Sequence, residues 1–121
     1  MSGIPLADSE WRLMQAIWKL ETPTLRAILD EVEPDTGWTR HTVISYLNRM
    51  EAKGAIAQEG SRPKIYRALW RRDDALRQET GDLLTRVYGG NPFLMAVSAV
   101  KSGPMTPEEK QQLLALIENE L

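Results

Sequence analysis

Residues 37–56 read GWTRHTVISYLNRMEAKGAI, and this stretch gives the clearest indication of the fold. Thr39 is a residue type that caps helix N-termini, and Gly54 is the type that ends helices in a left-handed conformation. Trp38 and Val43 stand at the two positions of a hydrophobic staple, which sets the direction in which the chain enters a helix. The stretch therefore predicts one helix of about four turns between Thr39 and Gly54.

The predicted helix has two opposed faces at a spacing of about 100° per residue. The apolar positions on one face are Val43, Tyr46, Leu47 and Met50. The positions on the opposite face are His41, Ser45, Asn48 and Ala52, flanked by Ile44 and Arg49. A helix anchored by the first face would direct the second outward, where such side chains can bond to base edges in a major groove. An ordinary solvated helix face explains the same pattern when it is taken alone.

Two more helices are predicted before this one. Apolar residues at helical spacing indicate a first helix over about residues 8–20. A second helix, capped by Thr24, extends to about Val32 and is followed by a turn at residues 34–37. The second and third helices are therefore joined by a short loop, which is typical of a helix-turn-helix arrangement.

Beyond the third helix the apolar pattern changes to that of strands. Residues 55–59 and 65–70 predict two short strands, and the segment between them has hairpin-loop composition. Three helices followed by a hairpin with a basic tip give the order of a winged helix. We expect the usual third strand of that fold near Thr22. The sequence thus predicts a mainly α protein with a small β-hairpin, with residues 1–72 as a winged helix-turn-helix domain.

Residues 73–121 predict a C-terminal helical arm for dimerisation. Helical segments are expected over residues 72–88, 93–100 and from Pro107 onward, where Thr106 opens a capping box. The arm is too thin for a core of its own, so its apolar stripes need a partner. A second copy of the arm is the simplest partner, and packing onto the winged helix is the alternative. The candidate dimerisation residues are Leu76, Leu83, Leu84, Val87, Tyr88, Phe93, Leu94, Val97, Leu113, Leu114, Ile117 and Leu121.

The charge is unevenly distributed along the 121 residues, whose net charge is −2. Residues 36–72 contain eight basic and two acidic side chains, a net charge of +6. Residues 73–121 contain four basic and eight acidic side chains, a net charge of −4. This asymmetry indicates that the first part meets a polyanion, although chance clustering of surface charge is the alternative.

Composition argues against several other classes of protein. The absence of cysteine excludes disulfides and thiolate metal sites and is compatible with a cytoplasmic location. The sequence shows no secretory signal and no apolar run long enough for a membrane span. The only histidine, His41, has no nucleophile or second ligand nearby in the sequence, so we predict no catalytic residue, no metal and no cofactor. The tryptophans are interpreted as core, staple or strand-end residues rather than as a ligand cage.

Candidate DNA-contacting residues come from the cap of the second helix, the third helix and the hairpin tip. Arginine can bond to guanine edges or phosphates, asparagine to adenine, and an exposed isoleucine to a thymine methyl group. Basic residues at the hairpin tip would contact phosphates and so position the helix. The candidates are Thr24, Thr39, Arg40, His41, Thr42, Ile44, Ser45, Asn48, Arg49, Arg62 and Lys64.

The sequence resembles the penicillinase-repressor family, the BlaI/MecI/CopY transcriptional regulators. The resemblance lies in LADSEWRLMQAIW (6–18), GWTRHTVISYLNRMEAKGAI (37–56), IYRAL (65–69) and TRVYGG (85–90), in order along nearly the whole chain. It implies a homodimeric repressor that binds a palindromic operator, with C-terminal helices forming the dimer. By position, the family's groove-facing and wing residues match Arg40, His41, Thr42, Ile44, Ser45, Arg62 and Lys64.

The sequence also departs from the family pattern. Ala7 stands where many members have Thr or Ser, so the cap of the first helix is weaker or moves to Asp8. Ile44 stands where a basic residue is common. The copper-responsive branch has C-terminal cysteines, and their absence argues against copper sensing. The β-lactam-responsive branch implies a membrane sensor protease as a partner, but Ser98-Ala99 lies where that branch has its Asn-Phe pair.

The function predicted from the sequence is a cytoplasmic, homodimeric repressor that binds double-stranded DNA and controls a resistance or stress-response gene. The alternative is a winged helix that binds another protein and no DNA. The two differ in salt dependence, because binding to duplex DNA weakens steeply as salt rises.

Overall fold

The computed structural model describes residues 5–120 and contains six helices and a two-stranded hairpin in that range. The elements are α1 (Asp8–Lys19), α2 (Leu25–Thr36), α3 (Arg40–Ala52), β1 (Ile56–Glu59), β2 (Ile65–Ala68), α4 (Arg72–Tyr88), α5 (Pro92–Ser102) and α6 (Pro107–Glu120). This mainly α architecture with one hairpin confirms the predicted fold class. The chain divides into two compact units, residues 1–76 and 77–121, and the division falls inside α4. The candidate residue Leu121 lies outside the described residues.

The first unit is built around the buried faces of α1, α2 and α3. Their fully buried apolar side chains are Leu13, Met14, Ile28, Val32, Val43, Leu47 and Met50. The hairpin adds Ile56 and Tyr66 to this core. The four tryptophans are half-buried around it, and Trp18 donates from Nε1 to the carbonyl oxygen of Trp70 at 3.0 Å. Because burial of apolar surface is the main driving force of folding, this core holds α3 in place.

The hairpin forms where it was predicted, but the expected third strand is reduced to a single bridge. β1 and β2 pair antiparallel, with Ile56 opposite Ala68 and Glu59 opposite Ile65. The third strand was expected near Thr22, yet only a single bridge forms, between Thr24 and Ile65. It is supported by the backbone N–H of Tyr66, which donates to the carbonyl oxygen of Pro23 at 2.9 Å. The bridge lies next to the helix because Thr24 is also the N-cap of α2, where the chain is still extended.

The end of α2 differs from the prediction. Residues 34–37 were expected to form a turn, but Pro34 lies inside the helix, which continues to Thr36. The helix ends at Gly37, whose φ of 66° is left-handed and whose N–H donates to the carbonyl oxygen of Glu33. Tertiary contact favours the extra turn, because Arg12 forms two 2.9 Å hydrogen bonds to the carboxylate of Asp35.

At the start of α1, the carboxylate of Glu10 supplies the capping contact, and the N-cap residue has no hydroxyl. Ala7 is the N-cap, so the cap does not move to Asp8. The N–H of Ala7 donates to Oε1 of Glu10 at 2.7 Å, which is one half of a capping box. Glu10 is fully buried and also receives Nζ of Lys53 at 2.6 Å. This buried ion pair connects α1 to the end of α3.

In the second unit, the start of α6 matches the sequence pattern, whereas α5 begins one residue before its predicted start. Pro107 is the first residue of α6, and Thr106 and Glu109 form a reciprocal capping box with hydrogen bonds of 2.9 and 3.1 Å. The hydrogen bond from the backbone N–H of Thr106 lowers the pKa of the Glu109 carboxyl, and the Thr106 hydroxyl adds to this shift. α5 is longer than the predicted 93–100 and is capped by Asn91, which accepts from the N–H of Leu94 at 3.2 Å. Within the described range, no helix has the length and apolarity that crossing a membrane requires.

Candidate nucleic-acid interface

The interface is organised by α3, whose two ends are defined by the predicted residues. Thr39 is the N-cap, and its Oγ1 accepts from the backbone N–H of Thr42 at 3.2 Å. At the other end the N–H of Gly54 donates to the carbonyl oxygen of Glu51, and that of Ala55 to Met50. This pair of bonds is the Schellman motif, and Gly54 has the left-handed φ of 80° that it needs. Both ends of α3 are therefore fixed by local hydrogen bonds.

The two faces of α3 are opposed, as the helical spacing predicted. Val43, Leu47 and Met50 are fully buried. On the opposite face His41 and Asn48 are exposed, while Ser45 is half-buried. The buried face anchors the helix, and the polar face is directed outward from the core.

The aromatic contact at the start of α3 differs in detail from a simple staple. The ring of Trp38 meets that of Tyr46 edge-on, with 5.1 Å between ring centroids. The guanidinium of Arg49 lies over the Tyr46 ring, 5.2 Å from its centroid. A cation over an aromatic ring is held by the ring's quadrupole. Arg49 is thus directed toward Tyr46, which distinguishes it from the other candidate cations.

A groove of about 530 Å³ lies between α3, the start of α2 and the wing, which we define as residues 56–68. It brings together five of the predicted DNA-contacting residues, from three separate parts of the sequence. They are Thr24, Arg40, Ile44, Asn48 and Lys64. Ile44 is half-buried in this groove, so its interpretation as an exposed apolar residue is wrong. Its side chain has apolar neighbours in Leu25 and Pro63, which sequence spacing does not reveal.

The groove is cationic and has a tyrosine at its wall. Within residues 5–120, Arg40 and Lys64 form no ion pair within 4.0 Å, so both charges are available to a ligand. Burial raises the pKa of the Tyr66 phenol, an effect that the nearby charge of Arg40 opposes and that of Glu51 reinforces. Tyr66 therefore stays a neutral hydroxyl at physiological pH.

Part of the basic charge counted in the sequence is neutralised. Lys53 pairs with the buried Glu10, and Arg67 pairs with Glu59 across the hairpin at 2.6 Å. Because Glu59 is already counted in the net charge of +6 over residues 36–72, only the pairing of Lys53 with Glu10 lowers the charge offered to a polyanion, by one unit.

The other predicted residues lie at the edges of this surface. Thr39 and Thr42 are joined by a hydroxyl–hydroxyl bond of 3.0 Å at the start of α3. His41 is exposed beside them, and Arg62 is exposed at the wing tip. None of these four lines the groove itself.

Sequence reasoning missed several groove residues, among them Arg26 and Gln58. Arg26 lines the groove from α2, although it also lies 3.5 Å from Asp30. Gln58 projects from β1 and donates to Oδ1 of Asn48 at 3.3 Å. Alternation along β1 places Gln58 on one face of the hairpin, but only the packing of the hairpin against α3 brings it to Asn48.

The second unit carries an exposed apolar surface. Neither α5 nor α6 has a buried residue in the described range. Of the predicted dimerisation residues, the exposed ones are Leu76, Val87, Phe93, Leu94, Leu113, Leu114 and Ile117. Leu83, Leu84, Tyr88 and Val97 are half-buried. Sequence reasoning missed Val100 and Leu116, whose side chains are 52% and 55% exposed.

No group of three or more histidine, cysteine or acidic side chains suited to a metal ion occurs in the part of the chain that the structure describes. Helix α3, its outward polar face and the basic wing are the parts that winged-helix DNA-binding regulators use. These features define the class of protein to which the chain is assigned.

The chain belongs to the penicillinase repressor family, whose sequence model matches residues 6–119. Members of this family are transcriptional regulators and not enzymes. The methicillin resistance regulatory protein MecI of Mammaliicoccus sciuri is 20% identical over 109 residues, which cover 89% of each chain. MecI of Staphylococcus epidermidis matches to the same extent.

Solved structures similar to this one include a domain of BlaI and the protein BpsR. The DNA-binding domain of the repressor BlaI, solved in solution, is 26% identical and has a TM-score of 0.53. The match covers 61% of this chain and 93% of that domain. BpsR of Bordetella bronchiseptica has a TM-score of 0.50 at 15% identity, covering 96% of this chain and 76% of that one. At that identity the second likeness supports the fold alone.

Proposed function

We propose that the protein is a homodimeric transcriptional repressor that binds a palindromic operator in double-stranded DNA. In this proposal residues 1–72 bind DNA and residues 73–121 form the dimer. The protein acts in the cytoplasm, and the gene that it regulates serves resistance or stress response. The observation that carries the proposal is the position of α3, whose buried face anchors a polar face beside a cationic groove.

The proposed docking places α3 in the major groove and the wing on the phosphate backbone. Arg40 and Lys64 lie on opposite sides of the groove and carry unpaired charge, which suits two phosphates or a phosphate and a guanine edge. Asn48 and Ser45 supply hydrogen-bonding groups that can distinguish bases. Ile44 supplies an apolar contact at the wall of the same groove.

The dimer is proposed from the exposed apolar surface of the second unit. An apolar groove of about 400 Å³ between the end of α5 and α6 is lined by Val100, Met105, Leu113, Leu114 and Ile117. A contiguous apolar surface of this kind marks an interaction site. A two-fold dimer would set two copies of α3 in successive major grooves. The second half-site then binds intramolecularly, which raises affinity for a palindrome.

The proposal is tested by selecting duplexes from a random pool with the full-length protein. A palindromic sequence should emerge, and its affinity should fall steeply between low and physiological salt. A protein that retains no duplex at low salt would rule out the repressor function and leave the protein-binding alternative. Deletion of residues 107–121 should yield a monomer with poor operator binding, whereas a truncated protein that remains dimeric would place the interface elsewhere.

A further inference from the structure

Three side chains from α3 and the wing form a chain of hydrogen bonds beside the proposed base-reading face. Nε2 of Gln58 donates to Oδ1 of Asn48 and to Oε1 of Glu51, each at 3.3 Å. The backbone N–H of Gln58 donates to Oε2 of Glu51, also at 3.3 Å. The strand therefore holds two residues of α3 that are one turn apart.

The chemistry of Glu51 determines the polarity of this chain. An ionised carboxylate only accepts hydrogen bonds, so the end of the Gln58 amide that meets Glu51 must be its NH₂ group. The same nitrogen faces Asn48, which must therefore present its oxygen. Both amides are therefore oriented by their hydrogen-bond partners, although amide nitrogen and oxygen are similar in size. The NH₂ group of Asn48 is then the end that is free to meet a ligand.

We propose that Gln58 and Glu51 are specificity-determining residues that make Asn48 a hydrogen-bond donor toward DNA. This inference rests on the proposed function, in which α3 reads base edges. An asparagine with both ends of its amide free pairs with adenine, which needs an acceptor and a donor. The hydrogen bond from the wing occupies one of the two lone pairs of the Asn48 oxygen and fixes the amide with its NH₂ group free, which favours an edge that offers acceptors. Guanine, with N7 and O6, presents that edge in the major groove.

The inference predicts a preference for guanine over adenine at one position in each half-site. Loss of one well-placed base contact changes discrimination by about fivefold or more. Gln58→Ala should remove this preference at that position and leave the other positions unchanged. Glu51→Gln should act in the same direction, because an amide can donate and so no longer dictates the polarity of Gln58. Glu59→Gln is the matched control, because Glu59 lies next to Gln58 on β1 but pairs with Arg67.

The experiment is a duplex selection with the wild-type protein and these variants, followed by binding measurements on guanine and adenine versions of the selected site. In an Asn48→Ala background, Gln58→Ala should have no further effect at the read position, since Gln58 acts through Asn48. These hydrogen bonds are exposed to solvent, where water replaces a lost partner at little cost, so the variants should unfold at nearly the wild-type temperature.

Two results would overturn the inference. One is a wild-type preference for adenine at the position that Asn48→Ala relaxes. The other is a Gln58→Ala protein that selects the wild-type sequence unchanged, or one that loses affinity equally for all sequences. A wild-type protein that selects no sequence at all would instead refute the proposed function, so the two failures are distinguishable.

Discussion

Nζ of Lys53 lies 2.6 Å from Oε1 of Glu10, a fully buried residue in the first turn of α1. Lys53 is also the C-cap of α3, so the contact joins the end of the proposed reading helix to the first turn of α1. The other oxygen of Glu10 has no hydrogen-bond partner within the described residues. Lys53 therefore supplies the charge that makes burial of this carboxylate tolerable.

Replacing Lys53 by methionine should destabilise the protein strongly. The variant leaves a buried carboxylate without a counter-charge, which costs about 3 kcal/mol or more. Urea unfolding measures this loss. The double variant Glu10→Met, Lys53→Met should recover much of it, because an apolar pair of similar volume needs no compensation. A single variant with wild-type stability would show that the pair contributes little.

Two glycine-to-alanine changes should have opposite effects. A Cβ at Gly54 or Gly81 would meet no atom within 4 Å, so neither change is limited by space. Gly54 has a φ of 80°, where alanine costs about 1–2 kcal/mol. Gly81 lies inside α4, where alanine should stabilise the helix by about 0.5–1 kcal/mol. Thermal unfolding followed by circular dichroism should shift downward for Gly54→Ala and upward for Gly81→Ala.

The wing cations should contribute unequally to DNA binding. Lys64 has no ion pair among the described residues, whereas Arg67 is paired with Glu59 at 2.6 Å. Lys64→Ala should reduce the slope of log K against log salt by about 0.9 for each bound copy, as loss of one phosphate contact does. Arg67→Ala serves as the control and should change the slope less. A Lys64→Ala protein that keeps the wild-type slope would mean that Lys64 contacts no phosphate.

The ion pair between Arg12 and Asp35 should make stability depend on acid pH. The hydrogen bond from Arg12 lowers the pKa of the Asp35 carboxyl in the folded protein. A carboxyl with a lowered folded pKa adds stability above its unfolded pKa of about 3.9. That contribution is lost as the pH falls through the lower folded pKa. Asp35→Asn should therefore be less stable than wild type at pH 7, and the difference should shrink below about pH 4.

The matched control for this pH effect is Asp30→Asn. Asp30 pairs with Arg26 at 3.5 Å, but both side chains are largely exposed. Such a pair contributes little to stability. The measurement is the free energy of unfolding at pH 7 and at pH 3. The interpretation is contradicted if Asp35→Asn is less stable than wild type by the same amount at both pH values.

The proposed dimer should depend on the apolar face of α6. Ile117 is 46% exposed and lines the apolar groove with Leu113 and Leu114. Ile117→Glu should shift the protein toward monomer in sedimentation velocity, because a charge would be buried in the interface. Gln112→Glu adds the same charge elsewhere on α6 and should leave the assembly unchanged. A dimer that tolerates Ile117→Glu would exclude this face.

Much of the local structure follows from the sequence because it depends on nearest neighbours. The cap at Thr39, the left-handed Gly54 and the capping box of Thr106 with Glu109 each involve residues within a few positions. The opposed faces of α3 follow from helical geometry once the apolar residues are known. The same is true of the amphipathic helices of the arm.

Predictions that depended on distant partners were less accurate. The turn expected at Pro34 is helix, since Asp35 is held by Arg12, 23 positions earlier in the chain. Ile44 is half-buried because it lines the groove that the wing and α2 form with α3. The burial of Glu10 was not foreseen, since its partner Lys53 is 43 positions away.

The sequence by itself determined the order of helices and strands, the ends of α3 and which of its faces is apolar. Those features arise from propensity, capping and periodicity, which act over a few residues. Three features depend on long-range packing and could not be predicted. They are the set of unpaired charges, the position of Arg49 over Tyr46, and the hydrogen bond from Gln58 to the oxygen of Asn48. These depend on side chains brought together by packing of the wing and α1 against α3, where a shift of an ångström makes or breaks a hydrogen bond.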